Sequence, residues 1–94
     1  MNQRLLKKTS FLAAMGSKIK AIRQLKGLSL RQLAAISHID HSDLQRVEQG
    51  KVNIGIFKLL QLAEALQVEK TELIRVDSKI EVILMQGSTT HKIA

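Results

Sequence analysis

Leu28-Ser29-Leu30-Arg31-Gln32-Leu33-Ala34-Ala35-Ile36-Ser37-His38-Ile39-Asp40-His41-Ser42-Asp43-Leu44-Gln45-Arg46-Val47-Glu48-Gln49-Gly50 reads as two short amphipathic helices joined by a turn too tight to be a linker. Ser29 opens the first, and Gln32 completes a capping box, in which serine and glutamine each take a backbone N–H of the first turn. Leu33 and Ala34 face inward, and Ala34 is small enough to let another helix approach closely. Ser37-His38-Ile39 makes the turn, with Ile39 as a buried plug. Asp40 caps the second helix, which buries Leu44 and Val47 and stops at Gly50. Such a pair braces one helix on a scaffold and offers the other to a DNA major groove. Sequence-specific DNA binding is therefore the leading reading.

On the N-terminal side, Leu12, Met15, Ile19, Ile22 and Leu25 recur at helical spacing, which predicts a helix from about Ser10 to Lys26, stopped by Gly27. On the other side, the polar loop Lys51-Val52-Asn53 leads to Gly55, which opens a helix bearing Ile56, Leu59, Leu60, Leu62, Ala63 and Leu66. A short fifth helix over Lys70–Arg75 places Leu73 and Ile74 against the same core. Ile80–Met85 is either a strand rich in β-branched residues or a short helix ending before Gly87, with the strand favoured. Residues 86–94 are polar and read as frayed. The organisation expected is a basic leader (1–9), an all-helical domain of five helices (10–76) and a C-terminal extension (77–94).

Composition agrees with that class. Among 94 residues, Pro is absent, Gly numbers 5 and apolar residues make up 45%, so one helical domain with a modest core is expected. Without cysteine there is neither a disulfide framework nor a thiolate metal site, which fits a reducing, cytoplasmic setting. The net charge of +7 is unevenly placed: residues 1–39 hold Arg4, Lys7, Lys8, Lys18, Lys20, Arg23, Lys26 and Arg31 and no acid. Such asymmetry suits a chain that meets a polyanion on one face. The apolar run Phe11–Met15 is shorter than the ~7–15 residues of an export segment, and nowhere do ~18 apolar residues run together.

The span from Gly16 to Leu73 resembles the phage repressor/Cro type of helix-turn-helix domain, the XRE family. The matching frame is Ile19-x-x-Ile22-Arg23, Gly27-Leu28-Ser29, Leu33-Ala34, Ile39, Leu44-x-x-Val47-Glu48-x-Gly50, and Leu59-x-x-Leu62-Ala63-x-Ala65-Leu66-x-Val68. The resemblance implies a compact five-helix, lambda-repressor-like fold whose third helix is the recognition helix. By position, His41, Ser42, Gln45 and Arg46 are then the base-contacting residues. Helical geometry agrees, because these positions lie opposite Leu44 and Val47. Arg46 can donate to guanine O6 and N7, and Gln45 can pair with adenine N6 and N7.

Phosphate contacts are expected from Ser29 and Arg31, where free N–H groups and the helix dipole point outward at the start of the second helix, and the resemblance implies them from Gln49, Lys51 and Asn53 after the third. It further implies an Arg23–Glu48 ion pair tying the first helix to the third; the alternative is that Arg23 contacts phosphate directly. The leader residues Arg4, Lys7 and Lys8 form either an arm along DNA or a solubilising tail. Five positions depart from the family pattern. Leu30 stands where Gln is common, His38 where Gly makes the tight turn with positive φ, and Ile54 where Pro is frequent. Asp40 and Asp43 add two carboxylates at the helix tip nearest DNA; Asp40 is explained as the cap, and Asp43 either accepts from cytosine N4 or repels phosphate.

Other classes fit less well. His38 and His41 beside Asp40 and Asp43 are explained by a turn and a helix tip, so no metal or other cofactor is expected. No nucleophile–base–orienter set or Gly-rich phosphate loop suggests an enzyme. Phe11 and Phe57 are the only aromatics and are assigned to the core, leaving no stacking platform for single-stranded nucleic acid. The expected function is a transcriptional regulator that binds duplex DNA as a homodimer, with helix five and residues 80–85 as the dimer contact. The rival is an antitoxin or a restriction-system controller whose residues 80–85 bind a partner protein.

Overall fold

Local start and stop signals account for most of the helix boundaries. The computed structural model describes the backbone of residues 3–75 and the side chains of residues 10–75. Within that range lie α1 (Gln3–Leu25), α2 (Leu30–Ser37), α3 (His41–Glu48), α4 (Ile56–Leu66) and α5 (Lys70–Ile74), and no strand. Ser29 and Gln32 form both halves of the capping box. Gly27 takes the left-handed conformation (φ +73°) that ends α1. The extension 77–94, with its 80–85 stretch, lies outside the described residues.

α1 begins at Gln3 rather than Ser10. The apolar stripe marks only the part of the helix that has a core to face. Before Gly16 the sequence contains neither Gly nor Pro, so nothing in it stops the helix earlier. Arg4, Lys7 and Lys8 therefore sit on the opening turns of α1.

The core gathers Met15 and Ile19 from α1, Leu33 and Ala34 from α2, Ile39 from the turn, and Leu44 and Val47 from α3. Leu59, Leu62, Ala63 and Leu66 of α4 and Leu73 of α5 complete it. α1 packs on α3 and α5, and α2 on α3 and α4, so α3 is gripped from behind by two helices. Lys18 fastens the far end, with Nζ donating to the Arg75 carbonyl at 2.6 Å and lying 3.2 Å from Glu72. No helix in the described residues is long and apolar enough to cross a membrane.

Several residues expected in the core are outside it. Leu25 is 86% exposed: it lies about 120° round the helix from Ile19, whereas Arg23 is only about 40° away and continues the buried face. On α4, Phe57 is 78% exposed because it points nearly opposite Leu59, and Ile56 and Leu60 are also exposed. Ile74 is half exposed beside the buried Leu73. Phe11 sits at the rim of a shallow apolar hollow with Leu12, Met15, Ile54 and Ile74. Assigning both phenylalanines to the core is thus wrong, and that ground for setting aside single-stranded nucleic acid falls with it.

Candidate nucleic-acid interface

The turn between α2 and α3 needs a residue that tolerates positive φ, and His38 supplies it (φ 61°, ψ 34°). Its N–H and that of Ile39 both reach the Ala34 carbonyl, the latter at 3.1 Å, closing the end of α2. Ser37 is buried in the same turn, its hydroxyl donating to the Leu33 carbonyl at 2.7 Å. Ile39 is buried, as a plug must be. These contacts fix the angle at which α3 leaves the turn.

Asp40 starts α3 by accepting from the Ser42 backbone N–H (3.1 Å) and from the Ser42 hydroxyl. Those bonds, the hydroxyl's first, hold the Asp40 carboxyl below its ordinary range. A depressed carboxyl contributes stability above its unfolded value, about 3.9, and loses it as pH falls through the folded value. We expect the Asp40 carboxyl resonance to titrate below pH 3.9, and Ser42→Ala to move that midpoint upward; an unmoved midpoint would contradict the cap.

The buried side of α3 carries Leu44 and Val47. Its opposite side presents Ser42, Gln45 and Arg46 exposed and His41 partly so. Ser29, Arg31, Gln49, Lys51 and Asn53 are all exposed at the start of α2 and after α3. Leu30 is half-buried against the core, which gives it a packing role where the family favours a polar residue.

Arg23 and Glu48 meet as a bidentate pair: Nε donates to Oε2 at 2.7 Å and Nη2 to Oε1 at 3.0 Å. Nη1 donates to the Leu28 carbonyl at 2.9 Å, so the guanidinium is committed within the protein. The hydrogen bonds to Glu48 raise the Arg23 pKa further, against the opposing effect of burial. α1 meets the C-terminal end of α3 closely enough that a Cβ at Gly16 would lie 2.3 Å from the Val47 carbonyl oxygen. At Gly50 a Cβ would lie 2.6 Å from Ala13 Cα, and φ there is +72°.

Asp43 has two cationic partners. Its Oδ1 accepts from Arg46 Nη2, and its Oδ2 lies 3.6 Å from Lys58 Nζ on α4. Sequence reading missed Lys58 and Gly16. Lys58 could have been noticed only as a base on the outer side of the first turn of α4. Gly16 gave no signal, since its close neighbours lie far along the chain.

Residues 19–73 match the HTH_3 helix-turn-helix family. The chain is 40% identical over 52 residues to the uncharacterized HTH-type transcriptional regulator RC0668 of Rickettsia conorii, covering 55% of this chain and 42% of that one. A second regulator, RP497 of Rickettsia prowazekii, matches at the same identity over 55% of this chain and 40% of its own. The chain thus spans about two fifths of the length of the curated relatives it matches. Among solved structures, the restriction-modification controller protein C.AhdI of Aeromonas hydrophila superposes with a TM-score of 0.65 at 39% identity. That match covers 66% of this chain and 94% of the controller. With the frame, the fold and these likenesses in agreement, the chain belongs to the HTH_3 (XRE-type) helix-turn-helix family of transcriptional regulators, a DNA-binding and not an enzymatic family.

Proposed function

We propose that this regulator binds a pseudo-palindromic duplex as a homodimer, with α3 of each copy in the major groove. The observation that carries the reading is the two-sidedness of α3. Leu44 and Val47 are buried and Glu48 is held by Arg23, while Ser42, Gln45 and Arg46 stay exposed. His41, Ser42, Gln45 and Arg46 are the base-contacting set, and Ser29, Arg31, Gln49, Lys51 and Asn53 the phosphate-contacting set. Two copies would set their recognition helices about 34 Å apart, one duplex turn. The dimer contact is assigned to α5 and residues 80–85, and the protein to the cytoplasm.

A second reading, the controller of a restriction–modification system, is supported by the 39% identity to the Aeromonas controller over nearly all of that protein. Selection of bound fragments from genomic DNA separates the two readings, because a controller selects sites beside restriction or methyltransferase genes.

Arg46→Ala and Lys51→Ala test the division of labour. Arg46→Ala should lose about 1–3 kcal/mol of discrimination at one base position. Lys51→Ala should weaken binding to all sequences alike and flatten the salt slope by about one unit. Equal binding to all sequences by wild type and the Arg46 variant would refute the base-reading role, and an unchanged slope would reject the phosphate contact.

A further inference from the structure

Within α3, the carboxylate at position 43 bridges two cations: Arg46 one turn on, and Lys58 on the neighbouring helix. We propose that Asp43 is a positioning residue for Arg46, holding its guanidinium in the orientation from which it meets a guanine edge. This rests on the reading of Arg46 as a base-contacting residue.

Arg46 and Asp43 are both substantially exposed, so their ion pair contributes little to stability. Its value lies in order. An unpaired arginine on a helix surface samples many rotamers, and binding must freeze one of them. Holding the side chain beforehand removes part of that entropic penalty, about two- to tenfold in affinity. The contact uses only Nη2 on the arginine side, so the guanidinium keeps donors for O6 and N7 of guanine.

Lys58 explains how a carboxylate is tolerated at this tip. Its ammonium lies 3.6 Å from the second carboxylate oxygen, which offsets the negative charge that phosphates would meet. It also ties the orientation of Asp43 to α4, so the guanidinium is referenced to the body of the domain and not to its own helix alone.

The test is selection from a randomised duplex library by wild type, Asp43→Asn, Arg46→Ala and the double variant, with Asp43→Glu as rescue. Asp43→Asn should lower preference about two- to tenfold at the same base position that Arg46→Ala affects. It should add nothing further in the Arg46→Ala background, and Asp43→Glu should restore part of the preference. A change at a different position would mean that Asp43 reads a base itself and would overturn the proposal. So would tighter binding to every sequence with preferences intact, the mark of relieved phosphate repulsion. If Arg46→Ala alone leaves every preference unchanged, the parent reading fails and the positioning role with it. If Arg46→Ala acts and Asp43→Asn does not, only the positioning role is lost.

Discussion

Gly16→Ala is expected to destabilise the domain by about 3 kcal/mol or more, although alanine is the better helix former. In a solvent-facing helix the same change would stabilise by roughly 0.5–1 kcal/mol, so the sign of the effect is itself the test. The cause is contact. A Cβ here would sit 2.3 Å from the Val47 carbonyl oxygen and 2.7 Å from that of Glu48. Both are backbone atoms of α3 and its last turn, and no rotamer change can move them aside. α1 would have to back away, opening the packing of Met15 and Ile19 against Leu44 and Val47. A domain of this size has a total stability of about 5–10 kcal/mol, so the melting temperature should fall by roughly 12 °C or more. Thermal unfolding followed by circular dichroism measures it. Gly55→Ala is the comparison in open space: nothing lies within 4 Å of a Cβ there, so its cost is limited to the N-cap preference, about 1 kcal/mol. A Gly16→Ala variant that melts at or above the wild-type temperature would show that the two helices do not meet so closely.

The functional consequence follows from where the contact lies. Gly16 and Gly50 let α1 press on the end of α3, and Glu48 is fixed in the same place by Arg23. The angle of α3 relative to the body is therefore set at its C-terminal end by backbone contact and an ion pair. At its N-terminal end it is set by the Asp40 cap and the Ile39 plug. A helix held at both ends presents its outer face as a fixed surface, which the proposed bidentate contacts to base edges require.

How much of this was legible follows the range of the signals. Capping is local: Ser29 with Gln32, and Asp40 with Ser42, lie within one turn and can be read directly from their order. The outer face of α3 is equally local, because the burial of Leu44 and Val47 puts 42, 45 and 46 on the opposite side, with 41 at its edge. Apolar residues gave a weaker signal. Leu25 and Phe57 are hydrophobic enough for a core but sit on helix faces turned away from it, and phase decided against composition. Contacts between separate elements were hardest. Arg23 and Glu48 came from the family frame alone, and nothing about either residue names the other. Lys58 and Asp43 lie on different helices across the loop after α3, and no spacing rule joins them. The use of Asp43 stayed ambiguous because a carboxylate's role depends on which cations surround it, and those are set by tertiary structure.

Glu48→Ala is expected to cost about 3–5 kcal/mol, comparable to or greater than the Gly16 effect. Arg23 is 8% exposed, and both nitrogens that face Glu48 would be left without an anion in a site that water barely reaches. The arginine cannot escape by losing its proton, because a guanidinium stays charged with or without Glu48; in the wild type the bonds to Glu48 raise its pKa further. A cation whose folded pKa is raised contributes stability that persists until pH climbs through that value. Arg23 should therefore add no pH dependence to stability across the neutral range. The Leu28 carbonyl, at 2.9 Å from Nη1, remains as the only partial compensation among the contacts described for this side chain. Replacing both partners, Arg23→Met with Glu48→Leu, removes the buried charge along with its partner and should regain much of the loss. Chemical unfolding of wild type, Arg23→Met, Glu48→Leu and the double variant closes the cycle and gives the coupling directly. DNA binding supplies the second readout: the double variant should recover stability while binding its selected duplex more weakly, because apolar side chains restore packing but not the bidentate geometry that sets the pitch of α3. A Glu48→Ala variant that loses less than about 1 kcal/mol would place the pair among ordinary surface bridges. Full recovery of both stability and binding in the double variant would show that packing alone orients the helix.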